Sequence, residues 1–192
     1  MGEIILVRHG ETEWSATHRH TSTTDLPLTP RGEAQARALA DGLADIDVAA
    51  VVVSPRRRAR RTAELAGLSV TLIDPDLVEW DYGEYEGLTT AQIRQTRPEW
   101  FLWRDGCPGG ESPGQVAARA DRVLERVGPL VAGGGTVALV AHGHLLRVIT
   151  ARWLGLEPAA GALFRLDVAT LSVLGYEREQ RVIQRWNAPL PQ

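Results

Sequence analysis

The sequence predicts an α/β fold, a three-layer α/β/α sandwich whose central sheet is mostly parallel with an antiparallel edge. Short apolar runs, such as residues 4–7 and 48–53, alternate with segments of helical periodicity. Runs without polar alternation are typical of parallel strands that are covered on both faces. Near the carboxyl end, residues 169–176 and 181–186 flank a polar turn, which predicts an antiparallel hairpin.

The first half of the chain contains three strands and two helices in this interpretation. Residues 14–25 are polar and lack periodicity, so we expect a loop over the strand ends. Thr29 and Pro30 predict a helix through residues 33–43, because Thr is a favoured N-cap and Pro fits the first turn. A helix to about residue 66 follows Ser54-Pro55 and opens with five arginines, of which we expect one to point into a site: Arg56, Arg57, Arg58, Arg60 and Arg61.

The second half continues the alternation. A short strand is predicted at residues 70–73 and a loop at residues 77–87. Trp100, Phe101 and Trp103 are expected in the core, the alternative being a lid over a pocket. Further helices are predicted at residues 89–97, 112–131 and 145–154, and further strands at residues 136–141 and 164–167.

Length and composition limit the class of protein. The chain has 192 residues, enough for one domain over residues 1–192. A net charge of −3 does not indicate nucleic acid or a membrane surface as a partner. A single cysteine, Cys107, and an amino terminus without a signal-peptide pattern lead us to expect the cytoplasm. All 21 basic residues are arginine, which excludes a Walker phosphate loop and Schiff-base chemistry.

Two strands end in the same way. Residues 4–10 match residues 137–143 position for position, and both runs end in His-Gly, at His9 and His142. Ligands bind at the carboxyl ends of strands in open α/β sheets, so the two histidines are expected at one site. With Arg8 and an arginine near Arg58, they form a pocket suited to a phosphate dianion.

This set of residues can transfer a phosphoryl group. Neutral imidazole is a nucleophile at phosphorus, flanking arginines keep it neutral, and a phosphohistidine would form. The leaving oxygen needs a proton, so a general acid is required. The spacing does not indicate which nearby carboxylate is this acid; the candidates are Glu11, Glu79, Asp81, Glu84 and Glu86.

At this point the motifs resemble those of a known family. Residues 8–12, Arg-His-Gly-Glu-Thr, resemble the signature of the histidine phosphatase superfamily, and Ser54-Pro55 with Arg58, Ala59 and Thr62 resembles its second element. Glu79 with residues 83–87 resembles its general-acid segment, and His142-Gly143 its second His-Gly. The resemblance implies an α/β/α sandwich and a metal-independent phosphatase without cofactor.

The resemblance also implies roles for single residues. His9 would accept the phosphoryl group, Arg8, Arg58 and His142 would hold its oxygens, and Glu79 would donate the proton. The family often has Asn at the position of Ser15, which makes Ser15 a weaker phosphate contact; Ser15, Thr21 and Gly143 are the candidate substrate-binding residues. Residues 80–83, 106–108 and 141–144 resemble a subgroup of acid phosphatases and sugar-bisphosphate phosphatases.

Other functions remain as alternatives. A cofactor-dependent phosphoglycerate mutase would use the same phosphohistidine, but residues 79–142 are too short for its long insertion. His18-x-His20 and His142-x-His144 would suit a metal-dependent hydrolase, yet no third ligand completes a site. A non-catalytic phosphoester-binding module is the third alternative. Arg147 is expected in a surface salt bridge rather than on a second phosphate.

The expected partner is therefore a small phosphate ester, with sugar phosphates among the candidates. An edge strand can pair across a homodimer, and the sequence leaves the oligomeric state open.

Overall fold

One sheet runs through the centre of the part of the chain that the computed structural model describes, residues 1–188. Its six strands have the order β3-β2-β4-β1-β5-β6. The four strands from β3 to β1 run parallel, whereas β5 is antiparallel to both β1 and β6. The bounds are β1 (Ile4–Arg8), β2 (Val48–Val53), β3 (Leu72–Ile73), β4 (Thr136–Ala141), β5 (Leu171–Glu177) and β6 (Gln180–Ala188).

Helices cover both faces of this sheet. They are α1 (Glu13–Ala16), α2 (Pro30–Leu43), α3 (Arg57–Leu65), α4 (Thr90–Thr96), α5 (Leu102–Asp105), α6 (Pro113–Ala132) and α7 (Gly143–Trp153). Residues of α2 and α3 share one buried cluster with one face of the strands, and residues of α6 and α7 share a second cluster with the other face. The predicted three-layer sandwich with an antiparallel edge is confirmed. In the described part of the chain, each helix is too short or too polar to traverse a lipid bilayer.

The helix starts follow the local sequence. Thr29 caps α2 through its hydroxyl, which accepts from the Gly32 N–H, and Pro30 occupies the first turn, as predicted. Ser112 caps α6 in the same way and exchanges hydrogen bonds with Gln115. These caps fix where each chain segment leaves the sheet.

Two predicted strands are wrong in extent or in kind. The strand predicted at residues 70–73 has only two paired residues, because the Thr71 hydroxyl takes the N–H of Val51 in place of a ladder bond. Residues 164–167 form no strand. Their backbone groups bond to side chains instead: the Leu166 carbonyl accepts from Arg8, and the Asp167 N–H donates to the side chain of Asn187.

The expected loop at residues 14–25 begins with a helical turn, α1. Thr12 and Ser15 exchange side-chain and backbone hydrogen bonds at its start, a capping box that needs no apolar periodicity. The aromatic cluster is mostly core, since Trp100 and Trp103 are 2% and 5% exposed while Phe101 is 40% exposed. The core prediction is therefore confirmed for two of the three.

The register of the sheet brings the two repeated runs side by side. Ile4 pairs with Val137 and Arg8 pairs with Ala141, which is the alignment that the sequence match predicts. His9 and His142 therefore follow paired strand ends. Gly10 is required just beyond, because a Cβ there would lie 2.4 Å from the carbonyl oxygen of Gly32 at the start of α2.

Candidate active site

Two buried histidines form the centre of the site. His9 follows β1 and its backbone N–H donates to the Ala141 carbonyl over 3.1 Å, while His142 caps the start of α7. The ring centroids are 5.2 Å apart and the rings are inclined at 62°. The two side chains therefore lie together at the carboxyl end of the central strands.

Hydrogen bonding determines which nitrogen of His9 carries a proton. Nδ1 lies 2.7 Å from the carbonyl oxygen of Gly10, and a carbonyl only accepts, so Nδ1 is the protonated nitrogen. Burial, followed by the charges of Arg58 and Arg8, lowers the pKa of His9 well below 6.5. The ring is neutral at pH 7, and Nε2 presents a free electron pair.

His142 is held from both sides by protein groups. The Arg58 Nε–H donates to its Nδ1 over 3.2 Å, so Nε2 carries the ring proton and donates to the Ser54 hydroxyl over 2.7 Å. Burial, followed by the charge of Arg58, lowers the pKa of His142 well below 6.5. The orientation and tautomer of this ring are thus set by Arg58 and Ser54.

Arg58 is the buried member of the arginine run, and its guanidinium also donates to backbone carbonyls of Thr21, Ser22 and Thr24. Arg57 and Arg60 are exposed, as expected for most of that run. Neither Arg58 nor His142 lines the cavity beside His9. Their contact with a phosphoryl group therefore stays a prediction.

Arg8 has an unpaired donor beside His9. Its Nη1 donates to the Leu166 carbonyl over 2.5 Å, whereas its buried Nε has no partner among residues 1–188. Gly143 packs against the guanidinium, since a Cβ there would lie 3.2 Å from Arg8 Cζ. An anion in the cavity would supply the missing acceptor.

Glu79 is the single candidate acid that lines the cavity. Its Oε1 accepts the backbone N–H groups of Trp80 and Leu145, each over 2.9 Å, and its Oε2 accepts that of His144 over 3.0 Å. Two donors fill the lone pairs of Oε1, so a transferable proton would sit on Oε2. The start of α7 therefore fixes the orientation of this carboxyl group.

The loop that carries Glu79 is tied to α6 by one side chain that the sequence analysis missed. Arg119 donates to the backbone carbonyls of Asp76 and Val78 and forms a two-point ion pair with Glu111. The sequence does carry a signal for this role, because Arg119 lies between Val116 and Val123 on the buried face of α6. A charged residue at such a position usually has a buried partner.

The cavity beside His9 has a volume of about 240 Å³. The predicted contacts Ser15, Thr21 and Gly143 all line it. The Ser15 hydroxyl accepts from the Thr12 N–H and donates to the Thr12 carbonyl. The Thr21 hydroxyl donates to the Arg19 carbonyl. Both hydroxyls are thus committed to local structure.

The outer wall of the cavity is aromatic and basic. Burial lowers the pKa of His20 to about 4, and the ring lies 4.7 Å from that of Tyr82. Tyr82 bonds to Nδ1 of His144 over 2.6 Å. The prediction of a surface salt bridge for Arg147 is wrong: its guanidinium lines the cavity and donates to backbone carbonyls of residues 161 and 162.

Within residues 1–188 no three His, Cys, Asp or Glu side chains come together as a metal site.

Comparison with known proteins agrees with this geometry. A sequence model of the histidine phosphatase superfamily (branch 1) matches residues 4–189. An acid phosphatase of Mycobacterium tuberculosis is 43% identical over 184 residues, which span 93% of this chain and 88% of that protein. The sedoheptulose 1,7-bisphosphatase of Saccharomyces cerevisiae is 36% identical over 182 residues, spanning 79% of this chain and 67% of that protein.

A solved structure, that of an open reading frame product from Mycobacterium tuberculosis, superimposes with a TM-score of 0.95 at 40% identity and covers 99% of both chains. Fold, motif order and family match therefore agree over nearly the whole length. The chain belongs to the histidine phosphatase superfamily.

Proposed function

We propose that the chain is a metal-independent phosphomonoester hydrolase that acts through a phosphohistidine on small phosphorylated metabolites, sugar phosphates among them. The observation that carries this is the state of His9. Its ring is neutral, its proton is held on Nδ1 by Gly10, and Nε2 is free beside the unpaired Nε–H of Arg8. A nucleophile and an anion-binding donor therefore line the same cavity.

In the first step, Nε2 of His9 attacks phosphorus and the ester P–O bond breaks. Arg8 would bind phosphoryl oxygens through its free N–H, and the proton from Oε2 of Glu79 would pass to the leaving oxygen. Arg58 and His142, in their present positions, would support His9 and raise the positive potential around it. Direct contact of Arg58 and His142 with the phosphoryl oxygens, which the resemblance implies, stays a prediction.

In the second step, water attacks the phosphorus of phosphohistidine and the N–P bond breaks. The Glu79 carboxylate takes the proton from water, which restores the acid for the next cycle, and inorganic phosphate leaves. Arginine charge supplies the stabilisation of the transferred group in this scheme.

Hydrolysis is favoured over the mutase alternative. Residues 79–142 are occupied by one 3₁₀ turn (Gly83–Tyr85), the short helices α4 and α5, α6 and β4, so the long insertion that the mutase would need has no place there. The two curated relatives described above also bear phosphatase names.

The test is phosphate release from p-nitrophenyl phosphate and a sugar-phosphate panel in the presence of EDTA. We expect EDTA-resistant activity that His9→Ala abolishes. With p-nitrophenyl phosphate, Glu79→Gln should accumulate an acid-labile phosphoenzyme, because p-nitrophenolate leaves without a proton whereas the attack of water still needs the base. No release from any compound would refute the hydrolase. Interconversion of 2- and 3-phosphoglycerate without net phosphate release would support the mutase instead.

We also propose a cytoplasmic location and a single domain over the whole sequence. The single cysteine, which is buried and free, supports a reducing compartment. A homodimer through the edge strand β3, where Leu72 and Ile73 are exposed, is a further proposal that light scattering after size exclusion would test.

A further inference from the structure

The cavity holds more positive charge than one phosphoryl group requires. Three guanidinium groups line it, those of Arg8, Arg19 and Arg147, against the single carboxylate of Glu79. Arg8 lies beside His9 and serves the transferred group. Arg19 and Arg147 are left without such a role, and like charges in a partly buried space repel each other unless an anion lies between them.

Arg147 is held in place but not neutralised. Its Nε donates to the Gly161 carbonyl over 2.9 Å and its Nη2 to the Ala162 carbonyl over 3.0 Å, while the guanidinium lies 4.4 Å from the ring centroid of Trp103. Two of its five N–H groups are thus used. Within residues 1–188 it has no carboxylate partner, so its charge is available to a ligand in the cavity that it lines.

His144 adds a neutral donor next to this charge. Its Nδ1 lies 2.6 Å from the Tyr82 hydroxyl, which has no other hydrogen-bond partner among residues 1–188. In the tautomer in which this hydroxyl donates to Nδ1, the ring proton is on Nε2, and an anion beside Nε2 favours that tautomer because it accepts the proton there. Burial lowers the pKa of His144 well below 6.5, so the ring stays in this neutral form at pH 7. Its Nε2–H is available to a ligand oxygen in the cavity that His144 lines.

We propose that Arg147 and Nε2 of His144 form a distal anion subsite, which selects phosphate esters that carry a second anionic group. The group is a second phosphate or a carboxylate, both of which offer oxygens to a guanidinium and an imidazole N–H. This inference rests on the proposed hydrolase function, because it places the scissile phosphate beside His9 and Arg8. The substrate would then extend from His9 along the cavity to Arg147.

The experiment measures competition against hydrolysis of p-nitrophenyl phosphate by two matched pairs of compounds. Fructose 1,6-bisphosphate is compared with fructose 1-phosphate, and 3-phosphoglycerate with glycerol 3-phosphate. In the wild type we expect the compound with the second anion to compete about tenfold more tightly in at least one pair, the size of one charge-assisted contact. The pair that shows it identifies the group as phosphate or carboxylate.

Arg147→Gln should reduce this ratio to about twofold or less, and Arg147→Lys should retain part of it because the charge remains. The matched control is Arg152→Gln on the same helix, whose side chain pairs with Asp121 away from the cavity; it should keep the wild-type ratio.

A wild-type ratio near one in both pairs overturns the subsite, and this result does not depend on whether Arg147→Gln folds. A high ratio that survives in folded Arg147→Gln also overturns it. Failure of the wild type to hydrolyse p-nitrophenyl phosphate would refute the proposed function instead. Isothermal titration with the same two pairs would then test the subsite by itself.

Discussion

Replacement of Arg119 by methionine tests how the Glu79 loop is held. Arg119 and Glu111 form a two-point ion pair with N–O distances of 2.7 Å at side-chain exposures of 11% and 18%. Arg119→Met leaves the Glu111 charge unpaired and the carbonyls of Asp76 and Val78 without their donor. Breaking one side of a buried pair costs about 3 kcal/mol, at the low end of the usual range because this pair is not fully buried.

That cost corresponds to a fall in Tm of about 6–12 °C for a domain of this size. The Glu79 carboxyl should also lose its alignment, so we expect kcat for p-nitrophenyl phosphate to fall by about 10- to 100-fold, with a smaller change in KM. Urea unfolding, monitored by tryptophan fluorescence, gives the free energy of unfolding. Steady-state kinetics, measured at a temperature below the unfolding transitions of the wild type and the variant, give the activity. A structural role alone would lower Tm and leave kcat of the folded enzyme unchanged.

The matched control is Arg122→Met, three residues along the same helix. Arg122 also pairs with the loop, through Asp76, but its side chain is 50% exposed and the pair is screened by solvent. If Arg119→Met loses no more stability and no more activity than Arg122→Met, the Arg119 side chain is not what holds the Glu79 loop in place. A further check is the double variant with Glu111→Leu, which removes both charges and should recover part of the stability lost in Arg119→Met.

Three further predictions concern backbone contact, a buried donor and pH. Gly32→Ala would put a Cβ 2.1 Å from the Glu11 carbonyl oxygen, so urea unfolding should show a loss of about 1–3 kcal/mol, and kcat/KM should fall because that loop carries His9. Ser54→Ala leaves the Nε2–H of His142 without an acceptor, and unfolding should show a loss of about 1–3 kcal/mol. Burial lowers the pKa of His20 to about 4, so between pH 6.5 and 4 the unfolded chain binds a proton there that the folded chain does not. The free energy of unfolding should fall as pH falls through that window, by about 1.4 kcal/mol per pH unit from this ring, and His20→Gln should reduce the slope by that amount, while the other buried histidines keep their contribution.

Controls separate these effects from general damage. Gly128→Ala, on α6, meets no atom within 4 Å and should be neutral or stabilising, since Ala favours the helix over Gly. Equal losses in Gly32→Ala and Gly128→Ala would contradict the argument from close approach. A free energy of unfolding that stays constant from pH 6.5 to 4 in the wild type would contradict the assignment of His20 as a buried neutral ring.

Most of the fold was predictable because its signals are local. Apolar runs without alternation predicted the parallel strands, and Thr29-Pro30 and Ser112-Pro113 predicted the starts of α2 and α6. The errors in the strands occur where a backbone group bonds to a distant side chain. Residues 164–167 have strand-like composition, but Arg8 and Asn187 take their backbone hydrogen bonds. Periodicity carries no information about such partners.

The candidate site was predictable in membership but not in arrangement. The repeated run ending at His9 and His142 predicted their proximity, because paired strands of equal register end together. The roles of Arg58 and Ser54 as partners of His142, of Arg119 as the support of the Glu79 loop, and of Arg147 in the cavity wall were not predictable. Each depends on a contact between residues at least fourteen positions apart in sequence.

By itself, the sequence determined the class of fold, the motif order and the residue types available for phosphoryl chemistry, since these follow from periodicity and short-range spacing. Only the tertiary structure decided which nitrogen of His142 carries the proton, which carboxylate faces the cavity, and that Arg147 lines the cavity. Tautomer, burial and orientation are set by neighbours that packing supplies. A residue in one segment of the chain cannot show them until the other segments are in place around it.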